Sequence, residues 1–211
     1  MAQQTKGIVG SVRDGVVGAI KGVGEITDAV VNTVSGSLIN LIRQTGATGA
    51  ALTEANAQVA RGAIEGAAGV GGDIGKAAKG TVIGVLRGTR DVGVETTETI
   101  SVTARSLVKS ASDVGGDLAK TARGAVEGAI DGAKQVGLSA EDAAAAAASG
   151  ALKGAGDISE TAVNEVRDAL RGTISGVKVV LKEPFAGGKE GEASAKRASG
   201  APSNGKRGTS A

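Results

Sequence analysis

The residues here that could do chemistry are carboxylates, lysines, serines and glycine-rich turns. The chain has no Cys and no His, which removes thiolate nucleophiles, imidazole bases and the usual zinc ligands. Adjacent carboxylates such as Glu141 and Asp142 are the type used for paired acid–base work. Ser139, three residues before Asp142, resembles a capping box instead, and places both in the first turn of a helix. A Ser–Lys pair is formally available, but no spacing singles one out. Gly69-Val70-Gly71-Gly72-Asp73 has the glycines of a phosphate-cradling loop. It lacks the Gly-Lys-Ser/Thr ending and a preceding hydrophobic strand. The expectation is a non-enzymatic chain with no cofactor, no metal and no small-molecule substrate.

The pattern that organises the chain is a repeat of apolar positions. Ile8, Ala19, Val30 and Leu41 lie eleven apart. So do Val9, Ile20, Val31 and Ile42, and also Val12, Val23 and Val34. Near the other end Val163 pairs with Ile174, Val166 with Val177, and Leu170 with Leu181 at the same spacing. Eleven residues fill three helical turns at 3.67 per turn, so these positions form one nearly straight apolar stripe on a helix.

A longer duplication spans the middle. Val70-Gly71-Gly72-Asp73-Ile74-Gly75-Lys76 matches Val114-Gly115-Gly116-Asp117-Leu118-Ala119-Lys120, and the likeness runs on to Val82 and Val126. The offset is 44 residues, four elevens, and fixed-period similarity signals a repeat architecture. A weaker third copy begins at Gly156-Asp157-Ile158. On a helical wheel Ile74, Ala78, Val82, Val85, Leu86 and Val92 share one face, with Lys76, Lys79, Arg87 and Arg90 opposite. Leu118, Val126 and Ile130 are their counterparts in the second copy. Gly80, Gly84 and Gly88 border the apolar face, and Gly124, Gly128 and Gly132 repeat that border. The spacing is that of close helix–helix contact, or of glycine simply being abundant.

The expected fold class is all-α: long Gly/Ala-rich amphipathic helices separated by glycine breaks, folded conditionally. Residues 1–5 are expected disordered, 6–181 form the repeat region, and 182–211 a disordered basic tail. Breaks are expected near 46–49, 70–73, 114–117 and 137–139, with Asp73 and Asp117 as N-caps. Val94–Thr103 is rich in Val and Thr and could form a strand. The helical period of Ile100, Ala104, Leu107 and Ala111 keeps it helical. Pro184 is expected to stop the last helix.

Composition explains why folding should need a partner. The chain has 36 Gly and one Phe, and no Trp or Tyr. Large side chains supply most of the area in ordinary cores. A glycine in a helix interior costs about 0.8–1 kcal/mol against Ala, so the stripe must be packed against something. That something is an apolar surface or another copy of the chain. No apolar run reaches the roughly 18 residues of a membrane span, and the N-terminus lacks the continuous apolar region of a secretory signal. The expected location is cytoplasmic, peripheral to a membrane, droplet or granule. Lys196, Arg197, Lys206 and Arg207 of the tail could touch phosphates of nucleic acid or lipid weakly, or simply keep the tail solvated.

Segments such as Lys6-Gly7-Ile8-Val9-Gly10-Ser11-Val12 and Val16-Val17-Gly18-Ala19-Ile20-Lys21-Gly22-Val23 resemble, in period and composition, the 11-residue repeats of synucleins and perilipin-type droplet coats. Late-embryogenesis-abundant proteins share the period, and phasins look similar in their Ala-rich helices and basic tail. The resemblance implies a chain disordered in water that lies as a helix on a lipid surface, a peripheral coat of a membrane, droplet or storage granule bound through the stripe. The surface-binding residues are then Ile8, Val9, Val12, Ile20, Val23, Val30, Val31, Val34, Leu41, Ile42, Ile74, Val82, Leu86, Leu118, Val126, Ile130, Val163, Val166, Leu170, Ile174, Val177 and Leu181. The alternatives are a desiccation-protective protein and a helical structural protein that self-assembles into a homo-oligomer.

Overall fold

The computed structural model describes residues 2–23, 25–46, 49–90, 96–179 and 181. Eight helices fill these segments: α1 (Ala2–Val23), α2 (Ile26–Thr45), α3 (Gly49–Gly69), α4 (Ile74–Arg90), α5 (Thr96–Asp113), α6 (Leu118–Val136), α7 (Ala140–Gly156) and α8 (Glu160–Leu170). A short hairpin of β1 (Thr173–Ile174) and β2 (Val177–Lys178) follows. The all-α expectation holds. The four expected breaks fall between α2 and α3, α3 and α4, α5 and α6, and α6 and α7. The Val/Thr-rich segment is helical from Thr96 onward.

The Val-Gly-Gly-Asp element shows why it recurs. Gly71 and Gly115 take φ values of 66° and 68°, the left-handed turn that ends a helix and that glycine adopts without a Cβ clash. The amides of Gly72 and Gly116 return to the carbonyls of Ala67 and Ala111. Asp73 and Asp117 then accept the backbone N–H groups of Lys76 and Lys120 at 3.0 and 2.8 Å, capping the next helix. Ser139 caps α7 and Ser159 caps α8 in the same way. The element is a helix stop and start in four residues, not a phosphate loop.

Each helix packs on the helix two places before it as well as on its sequence neighbours. α1, α3, α5 and α7 form one layer, and α2, α4, α6 and α8 the other. Within a layer the helices are parallel, because the contacts advance together: Gly80, Gly84 and Gly88 of α4 face Thr27, Val31 and Ser35 of α2. Consecutive helices are antiparallel, since Gly15 of α1 meets Thr33 of α2 while Ile8 shares a groove with Leu41. The result is a two-layer helical solenoid with a hairpin repeat of 44 residues over α3–α7, the period of the sequence duplication.

The glycine borders are the seams of this solenoid. A Cβ at Gly80 would lie 2.6 Å from the Thr27 carbonyl oxygen, and one at Gly128 2.5 Å from that of Lys79. A Cβ at Gly62 or Gly66 would lie 2.7 or 2.9 Å from the α1 carbonyl oxygens of Val9 and Arg13, and one at Gly150 or Gly154 would run into those of Ser101 and Arg105 on α5. The missing side chains let the backbones approach to van der Waals contact. That compensates in dispersion and Cα–H···O contact for what glycine loses in helix propensity.

Three features differ from the expectation. The chain turns at Glu25, whose backbone is extended, so the stripe from Ile8 to Ile42 is shared by two antiparallel helices. Helix α1 begins at Ala2, ahead of residue 6. The last helix ends at Leu170, well before Pro184. Gly172, Ser175 and Gly176 have φ of 104°, 47° and 82°, and Ser175-Gly176 is the two-residue turn with both residues left-handed that suits a tight hairpin. Ile174 and Val177 are therefore hairpin residues, and their eleven-residue spacing from Val163 and Val166 is not helical continuity.

Candidate functional site

The residues expected to bind an apolar surface are largely the core of the solenoid. Val12, Val30, Val34, Val82, Leu86, Val126, Ile130, Val166 and Leu170 are fully buried. Val31, Ile42, Ile174 and Val177 are buried too. Ile8, Val9, Ile20, Leu41, Ile74, Leu118, Val163 and Leu181 are half-buried. The side chain of Val23 lies outside the described residues, as does the whole tail with Lys196, Arg197, Lys206 and Arg207. The helices supply one another with the apolar partner that their glycine content demands. Ala, Val and Gly carry most of this core, so each contact is small and the fit depends on close backbone approach.

The charged outer faces are ordered by the same period. On α4, Lys76, Lys79, Arg87 and Arg90 form one stripe, and the helix has no carboxylate. Forty-four residues on, α6 places Lys120, Arg123, Glu127, Asp131 and Lys134 along the matching stripe. The row formed by Lys79 and Arg123 continues to Arg167 on α8. Cross-helix contacts hold the array on one face: Lys79 pairs with Asp131 at 2.7 Å, and Arg87 donates to the Gln135 side chain at 3.0 and 2.7 Å. Arg123 pairs with Glu127 at 3.2 Å along its own helix.

Lys76, Lys79, Lys120 and Arg123 gather with Asp73, Gly75, Gly124 and Glu127 around one shallow hollow between α4 and α6. Lys76 and Lys120 sit in the first turns of two parallel helices, where the macrodipole disfavours a cation by about 0.3–1 kcal/mol, and Lys79 and Arg123 lie one turn further on. The helix dipole therefore does not explain Lys76 and Lys120. Asp73 and Asp117, committed to capping, offset the charge only in part. Over α4, α6 and their caps there are seven cations against four carboxylates. The opposite layer carries an acidic row at the same period, Glu54, Glu98 and Asp142. Between α5 and α7, Arg105 donates two hydrogen bonds to Asp157 at 2.7 and 2.9 Å. That bond holds the Asp157 carboxyl below its ordinary value and the Arg105 guanidinium above its own, with Lys109 at 3.9 Å adding to the effect on Asp157.

The sequence separated Lys76, Lys79, Arg87 and Arg90 from the apolar face and gave them no further role. The 44-residue match of Lys76 with Lys120 and Lys79 with Arg123 was the available sign that they belong to a lateral array. Among the described residues no three His, Cys, Asp or Glu side chains are grouped to hold a metal ion, and no helix is long and apolar enough to cross a membrane. No known protein family matches the chain, and no curated protein matches it.

Proposed function

We propose that this protein is a non-enzymatic peripheral coat that lies on an anionic lipid surface through the basic outer face of α4 and α6, its apolar stripes closed inside. The observation that carries the reading is the periodic row of cations, Lys76 with Lys120 and Lys79 with Arg123, gathered around one hollow between two parallel helices. A layer of parallel helices presents such rows as an array about 10 Å apart, which suits a surface of headgroups. The body offers no aromatic side chain on which bases would stack, so lipid is the better partner than single-stranded nucleic acid. Each cation near an anionic membrane contributes about 1 kcal/mol, and the excess over carboxylates gives weak, salt-sensitive adhesion that many copies on one surface strengthen.

Flotation with vesicles tests this. The chain should rise with vesicles rich in anionic lipid, stay behind with neutral ones, and dissociate as salt shortens the screening length. Lys76→Glu with Lys120→Glu changes the face by four charges, about 4 kcal/mol by the same rule, and should abolish binding with helix content unchanged. Equal flotation with neutral vesicles would instead mean that the helices open and apply their stripes to the bilayer. Failure to float with either would end the coat reading.

A further inference from the structure

The two ends of the solenoid are built differently. At four internal steps, α1 to α3, α2 to α4, α4 to α6 and α5 to α7, the glycine border of a helix rests on the helix two places before it. Helices α1 and α2 have no such predecessor. A Cβ added at Gly7, Gly18 or Gly22 of α1, or at Gly36 of α2, meets nothing within 4 Å. A groove of about 530 Å³ runs between the two helices from Gly7, with Gly7, Ile8 and Ser11 on one wall and Ser37, Asn40 and Leu41 on the other. The other end is covered. Ile174, Val177 and Val179 of the hairpin are buried, with β1 against α6 and β2 against α7.

We propose that the N-terminal end is a two-fold dimer interface, in which α1 and α2 of one chain pack on α1 and α2 of a second copy. The size is adequate. The helices have 22 and 20 residues. At 1.5 Å per residue and about 10 Å per helix, the pair presents roughly 600 Å². Two such faces bury roughly 1,200 Å², the lower bound for stable specific interfaces. The charge also selects the occupant. Among the described residues no charged side chain lines the groove, so two copies meet along it without like-charge repulsion, and a strongly charged partner finds no complement there. Acyl chains fit less well, because Ser11, Ser37, Asn40 and Gln44 would lose water and gain no hydrogen bond. Contact between like ends is closed by symmetry, so a dimer is expected in place of a filament.

Sedimentation equilibrium of the full chain tests the proposal. The expected mass is twice the 20.3 kDa of one chain. Ser11→Arg, at an exposed groove position, should halve it and leave the helical circular dichroism unchanged. Leu138→Arg, at an exposed site far along the solenoid, should leave the dimer intact. A monomeric wild type at its highest soluble concentration would overturn the proposal. So would mass that keeps growing with concentration, or a Ser11→Arg variant that stays dimeric. Each of these results is independent of vesicle binding.

Discussion

Gly128→Ala tests the seam directly. In a free helix this substitution stabilises by about 0.8–1 kcal/mol. In the solenoid the new methyl would lie 2.5 Å from the Lys79 carbonyl oxygen and 3.0 and 3.1 Å from its Cα and carbonyl carbon. All three are backbone atoms of α4, so no side chain can rotate away. The α4–α6 seam must open by several tenths of an ångström, and a gap of 0.5–1 Å forfeits a quarter to a half of each contact's dispersion well. Overpacking of this kind costs about 1–3 kcal/mol. With backbone on the receiving side the upper end applies, leaving a net loss of about 2 kcal/mol after the gain in propensity. For a chain of this size that lowers the melting temperature by about 4–8 °C. Gly10→Ala is the matched control, because a Cβ there meets nothing within 4 Å and Gly10 does not line the groove between α1 and α2. It should raise the melting temperature by about 2–4 °C. Thermal unfolding of the three proteins by circular dichroism reads both shifts. If Gly128→Ala stabilises as much as Gly10→Ala, the close seam does not exist in solution and the solenoid argument fails.

Three further outcomes follow from single residues. Asn56 is buried at 1% exposure with its Oδ1 lacking a hydrogen-bond partner, while its repeat equivalents Ile100 and Ala144 are apolar and buried. Asn56→Ala should therefore raise the urea midpoint, by about 1 kcal/mol of stability. The Arg105–Asp157 pair lowers the carboxyl's pKa, so its contribution is complete above the ordinary carboxylate range and is lost as pH falls through the depressed value. Arg105→Ala should move the Asp157 titration, followed by NMR, upward toward that ordinary range, at a stability cost of about 0.2–1 kcal/mol near neutral pH. Asp73→Asn with Asp117→Asn keeps both caps, since Asn and Asp cap about equally, but removes two negative charges from the basic face. Stability should hardly change while anionic vesicle binding tightens about tenfold or more, and an unchanged affinity would place the membrane contact elsewhere.

The sequence alone determined the helices, most of their breaks and the existence of a repeat. Apolar spacing marks a helix face, and Val-Gly-Gly-Asp ends one helix and caps the next, whatever surrounds it. Those are local properties, settled within a few residues by backbone sterics and capping. Only the tertiary structure decided what the stripes face. Ile8 to Ile42 reads as one line of eleven-residue steps, yet the turn at Glu25 folds it into two helices whose stripes meet inside the molecule. A periodic apolar face fits a lipid surface and a neighbouring helix equally well in one dimension. The choice depends on which backbones can approach, and that is set by Gly62, Gly80, Gly124 and Gly150 lying opposite carbonyls about 50 residues earlier. The basic face has the same origin. Lys79 and Arg123 are unremarkable on single helices and become an array only because helices two places apart lie parallel and side by side.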